Sequence, residues 1–158
     1  GVNSGEVLVG NIGAHKRFNY AAFGDPVNTA ARIEGLNKQY RTWLLVGERT
    51  AELVRGAMVL RVVDLVRMKG KTRPVRVFEL IGEVGQVEPS VEAVHTRYSA
   101  AFSLYQERCF EEARAGFDDV VAACGGDGPA EILSARCTHF LEHPPPPDWD
   151  GTWVMQLK

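Results

Sequence analysis

Apolar residues follow two different rhythms along this chain, and the change from one to the other falls near residue 82. Up to that point short apolar runs bounded by glycine alternate with a stretch of helical spacing. GEVLVGNIG sets Val7, Leu8, Val9 and Ile12 between glycines and predicts a short strand with flexible ends. RFNYAAF predicts a second strand that stops at Gly24, where Asp25 can cap a helix and Pro26 takes the first helical position. VNTAARIEGLNKQY predicts that helix, ending near Gly35 to Asn37, with Val27, Ala30 and Ala31 as its buried stripe. TWLLVGERTAELV predicts a strand from Trp43 to Val46 and a short helix opened by Glu48 and Thr50. VLRVVDLVRM and PVRVFELI, joined by KGKTR, predict a β-hairpin with a basic tip.

After Gly82 the strand signals stop. EVGQVEPS reads as a linker over 83–90, and a helical region is expected over 91–142. Val91, Val94, Tyr98, Ala101, Phe102 and Tyr105 fall at helical spacing, and so do Phe110, Ala113, Phe117, Val120 and Val121. A third helix is expected from Pro129, with Leu133, Cys137, Phe140 and Leu141 on one face. The tail over 143–158 opens on four prolines and carries two tryptophans, which predicts a stiff connector with anchors. The expected fold is therefore α/β over 1–82, followed by an all-α extension.

Composition adds exclusions. With 18 Lys+Arg against 20 Asp+Glu the net charge is −2, so the overall balance gives no reason to expect a polyanion partner. Arg67, Lys69, Lys71, Arg73 and Arg76 gather around the hairpin tip, but no base-stacking aromatics interleave with them, and no nucleic-acid partner is expected. Three separated cysteines do not form a disulfide framework, which points to a reducing, cytoplasmic compartment for this segment. No apolar run reaches the ~18 residues that span a bilayer. The first residue is Gly1 and a strand-like run follows at once, so the chain is expected to be a piece of a longer protein.

The chemistry is concentrated in the first helix. Asn28 and Arg32 stand four residues apart, which separates their directions by only ~40°. An amide and a planar guanidinium on one face can grip a phosphorylated sugar, one bonding oxygen and the other neutralising phosphate charge. Spacing alone reads more readily as an ordinary solvated pair.

The order of motifs carries more. GVNSGEVLVGNIG, then RFNY, then GDPVNTAARIEGLNKQY, then MKGKTRPVRVFEL resembles the C-terminal part of a class III nucleotide cyclase catalytic domain over residues 1–82. The resemblance implies a partial ferredoxin-like cyclase fold that works as a homodimer, with active sites in the subunit interface. It implies attack of the ribose 3′-hydroxyl of ATP, or less expectedly GTP, on the α-phosphate, releasing diphosphate. Asn28 then matches the ribose-orienting asparagine, Arg32 the transition-state arginine and Lys69 the triphosphate lysine, with Lys71 a weaker candidate. The competing expectations are a guanylate cyclase, or a catalytically silent cyclase-like module for dimerisation or scaffolding.

Two departures qualify the match. The aspartates that bind Mg²⁺ or Mn²⁺ in the family would lie upstream of Gly1, and Asp25, Glu34 and Asp64 do not replace them. The family's base-selecting position, seven before the asparagine, is Ala21. A methyl group makes no hydrogen bond, so base choice loses one contact there, while Ala22 could offer its backbone carbonyl. In the helical half, CFEEARAGFDDVVAA resembles one tetratricopeptide unit, which cannot bury its own face. It must cover its own cyclase half, a second protomer or a protein partner. The Pro/Trp ending resembles extensions of bacterial cyclases whose front end is a membrane-anchored sensor. Cys137 and His139 point ~200° apart on a helix, so a zinc site with Cys124 and His143 is not expected. Cys109 and Cys137 read instead as small apolar contacts.

Overall fold

A computed structural model describes residues 1–12, 19–68 and 73–155. Strands β1 (Leu8–Ile12) and β2 (Asn19–Phe23) form an antiparallel pair, with Gly10 opposite Ala21. Helix α1 (Asp25–Tyr40) follows, then β3 (Leu45–Gly47) and the short α2 (Glu48–Val54). The expected hairpin is present as β4 (Met58–Arg67) and β5 (Val75–Glu83), paired antiparallel. Lys69 and Lys71 lie outside the described residues. Three helices complete the chain, α3 (Pro89–Gln106), α4 (Phe110–Cys124) and α5 (Gly128–Glu142), before the two-residue strand β6 (Trp153–Val154). The second sheet has the order β3-β5-β4-β6, with β6 parallel to β4.

Helix α1 starts one residue earlier than expected and departs further at its other end. Asp25 lies in its first turn, and Gly24 stands before it at φ 142°, a conformation that costs glycine little and other residues much. At the other end the helix continues through Gly35 to Tyr40. The stripe it buries is Thr29, Ile33, Leu36 and Tyr40, not Val27, Ala30 and Ala31. Three large side chains bury far more apolar surface than a valine and two methyl groups, and their weight offsets the ~1 kcal/mol that a helical glycine costs. Trp43, expected in a strand, is 98% exposed, and β3 starts two residues later.

The helical extension covers the sheet. Tyr98, Phe102, Tyr105, Phe117, Leu133 and Cys137 form its core, and Val62 of β4 packs against it. The Tyr98 hydroxyl donates to the Val63 carbonyl across the junction at 3.0 Å. Val91 and Leu141, expected on buried stripes, stay partly exposed, at 39% and 43%. The tail is no connector leading away. Arg108 donates to the carbonyls of Pro145, Pro146 and Pro147, which fixes the proline run against the α3–α4 turn. Trp149 then packs edge-on to Tyr105, and Trp153 joins the sheet beside Val66 of β4. Met155 and Trp153 reach the second core, around Ile33, Leu36, Val63, Val66 and Val77.

Candidate functional site

Asn28 and Arg32 both project from the flank of α1, roughly a quarter-turn round from its buried stripe. Asn28 is exposed and Arg32 half-buried. Among the described residues neither side chain is engaged in a hydrogen bond or ion pair. An amide and a guanidinium are thus held on a rigid helix without being spent on the fold. Upstream, Asn3 donates to the Pro26 carbonyl at 3.2 Å, tying the chain start to the first turn of α1. Ala21 is half-buried in β2, and Ala22 is exposed beside it, paired with Val9. Lys69 lies outside the described residues.

Among the described residues, no group of three or more His, Cys, Asp or Glu side chains could hold a metal ion. The described residues therefore do not make up a site for the Mg²⁺ or Mn²⁺ that the resemblance implies. Cys137 is fully buried, and burial pushes its thiol up to about 12, which keeps it an unreactive packing residue. Cys109 is only half-buried.

The charged groups that sequence reading passed over lie at the junction with the helices. Asp64 of β4 is fully buried, and its Oδ2 accepts from the Tyr40 hydroxyl and from Arg136 Nη1, the latter at 2.7 Å. Its Oδ1 accepts from the Leu65 N–H at 2.8 Å. Arg136 Nη1 also reaches the Tyr105 hydroxyl at 3.3 Å, and its guanidinium carbon stands 4.0 Å above the Trp153 ring. Burial alone would lower the Arg136 pKa, but Asp64 and the Tyr105 and Tyr40 hydroxyls more than reverse this and hold it protonated. A second cluster joins Arg61 to Glu79 at 2.5 Å and to Asp127 at 2.6 Å, with the guanidinium 4.6 Å over the Tyr98 ring. Asp127 also caps α5, accepting from the Ala130 N–H at 2.9 Å.

His95 stands beside this second cluster. Its Nδ1 is buried with no hydrogen-bond partner, and its pKa is lowered to about 4, first by burial and then by the Arg61 charge, with Asp127 opposing. The unfolded chain takes this proton near pH 6.5 and the folded chain only near 4, so the contribution to stability is full above pH 6.5 and falls as pH drops towards 4. His95→Gln should remove that part of the slope. Melting temperatures of both proteins between pH 7.5 and 4 check it, and parallel curves would exclude His95 as the cause.

Among the described residues no helix is long and apolar enough to cross a membrane. Comparison with known proteins matches residues 1–82 to the family described as "Adenylate and Guanylate cyclase catalytic domain". The chain is 33% identical over 146 residues to "Adenylate cyclase, terminal-differentiation specific" of Dictyostelium discoideum, covering 90% of this chain and 7% of that protein. It is 36% identical over 86 residues to "Adenylate cyclase" of Anabaena cylindrica, covering 51% of this chain and 16% of the relative. It is also 26% identical, at a TM-score of 0.44, to the crystal structure of the adenylyl cyclase CyaB from P. aeruginosa, over 52% of this chain and 41% of that one. The chain thus spans a small part of these curated relatives. A match over 90% of its residues runs well past residue 82, so the Dictyostelium relative shares sequence with the helical extension too.

Proposed function

Because the chain belongs to the adenylate and guanylate cyclase catalytic domain family, we propose that it supplies one half of an active site that converts ATP to 3′,5′-cyclic AMP and diphosphate for intracellular signalling. The site is completed in a longer protein that works as a dimer. In this reading residues 1–82 are the C-terminal part of the catalytic domain, 83–90 the linker, 91–142 the helical extension and 143–158 the tail. The observation that carries the reading is the flank of α1, where Asn28 and Arg32 stand together and uncommitted within the GDPVNTAAR motif.

The Asn28 amide hydrogen-bonds the ribose and holds the 3′-hydroxyl close to the α-phosphate. As the new O–P bond forms, the 3′-hydroxyl gives up its proton to water and the diphosphate leaves with the electron pair of the broken P–O bond. Arg32 donates to phosphate oxygens as their charge grows, and Lys69 balances charge on the triphosphate. A divalent metal would assist this chemistry by neutralising charge on the phosphate oxygens, and a ligand group for it is not found among the described residues. Relatives named adenylate cyclase support ATP as substrate.

Ala21 supports a looser base choice than a polar residue would give. A buried donor left unpaired by the wrong base rejects it by ~10⁴-fold or more, and a methyl group imposes no such penalty. The test is kcat/KM for ATP and GTP in the longer protein and in its Ala21→Thr variant. Discrimination below ~10⁴ that rises in Ala21→Thr is the expected result. Four orders of preference unchanged by the substitution would assign base reading to another group. No turnover of either nucleotide, with metal present, would overturn the cyclase reading in favour of a silent dimerisation module.

A further inference from the structure

The last turn of α1 is held from three directions by the helical extension. Gly128, the first residue of α5, passes so close that a Cβ there would lie 2.2 Å from the Tyr40 carbonyl oxygen and 2.8 Å from the Arg41 Cβ. Arg41 itself pairs with Glu131 of α5 at 2.5 Å. The Tyr40 hydroxyl ends on Asp64, which Arg136 of α5 also grips. One buried carboxylate therefore joins the helix that carries Asn28 and Arg32, the strand that ends two residues before Lys69, and the extension.

We infer that Arg136 is a positioning residue for the cyclase reaction, acting through Asp64 and Tyr40 to set the tilt of α1 relative to β4. The inference rests on the cyclase reading proposed above. Arg32 stands two helical turns, about 12 Å, from Tyr40 on the same rigid element. A small rotation at the held end moves the guanidinium at the other, and misplacement on the order of 1 Å is enough to slow a reaction that depends on alignment. An apolar contact at the junction would hold the helix down but let it slide. The contacts present are directional: Asp64 Oδ2 receives both the Tyr40 hydroxyl and Arg136 Nη1, and Arg136 Nη2 lies 3.5 Å from the same hydroxyl. Tyr105 of α3 and Trp153 of the tail fix the guanidinium plane from the remaining sides. On this view the extension is part of the machinery that holds the active site in shape, which gives a reason for the shared sequence to continue beyond residue 82 in the Dictyostelium relative.

The test uses Tyr40→Phe, which removes only the hydroxyl, together with Arg136→Leu and the conservative Arg136→Lys. In the longer protein, assayed well below its melting temperature, Tyr40→Phe and Arg136→Leu should lower kcat about tenfold with KM for nucleotide changed less than about twofold, and Arg136→Lys should recover part of the loss. In the 158-residue chain, amide hydrogen exchange should speed up along α1 in Tyr40→Phe while α3 and α4 keep their protection. If Arg136→Leu does not fold, Tyr40→Phe alone carries both arms. An active wild type whose Tyr40→Phe variant keeps full kcat overturns the inference, and so does unchanged exchange in α1. A wild type that makes no cyclic nucleotide removes the cyclase reading, and the exchange arm then decides by itself whether this junction fixes α1.

Discussion

Replacing Arg32 with alanine in the longer protein is expected to lower kcat by ~10²- to 10³-fold while leaving the KM for nucleotide within a few-fold. The guanidinium stands on the flank of α1, half-buried and outside the buried stripe, so its loss removes little packing and leaves the fold intact. In the proposed site, what disappears is a charged donor for oxygens whose negative charge is greatest in the transition state. An interaction stronger there than with the bound substrate shows in kcat and only weakly in KM. Initial-rate measurements over a range of ATP concentrations separate the two. A loss confined to KM would mean that Arg32 holds the ground-state triphosphate and that another group meets the developing charge.

The second large effect concerns stability. Asp64→Ala should destabilise the chain by about 3–5 kcal/mol, because Arg136 would be left charged and buried without its counter-ion. Side-chain exposure is 0% for Asp64 and 5% for Arg136, so water cannot take over the role of the lost partner. The Tyr40 hydroxyl would lose its charged acceptor at the same time. For a chain of this size the loss corresponds to a fall in melting temperature of roughly 10 °C. Replacing both charges together, Asp64→Leu with Arg136→Met, should cost much less, since no charge is then stranded. Thermal unfolding of the single and double variants measures this. A single variant that melts with the wild type would show that the buried pair contributes nothing.

The parts of the fold that sequence reading recovered are those written in neighbouring residues. The two strands of the hairpin declare themselves by runs of β-branched residues, and the start of α1 by its Gly-Asp-Pro turn. The end of α1 was misplaced because Gly35 looks like a stop locally, whereas Leu36 and Tyr40 are buried by contacts that the local sequence does not contain. Asp64 and Arg136 show the same limit more sharply. They lie 72 residues apart, and each alone reads as an ordinary solvent-facing charge. The register shift near Val63, where β4 carries an extra residue against β5, breaks strict alternation and buries Val63 and Asp64 in succession. Alternation could not have foretold it. Four prolines extend a chain and so read as a stiff connector, but the side chains that capture the tail, Arg108 and the aromatic cluster around Tyr105, belong to distant parts of the sequence. Asn28 and Arg32 were legible for the opposite reason, since four residues on one helix suffice to bring them together.

The most direct test of the central claim is the identity of the products made from ATP by the longer protein. Chromatographic separation after a partial turnover should give cyclic AMP and diphosphate in equal amounts, both falling together when Asn28 or Arg32 is replaced by alanine. Release of ADP with phosphate, or an intact cyclic AMP yield in both variants, would contradict the assignment of this helix to the cyclase site.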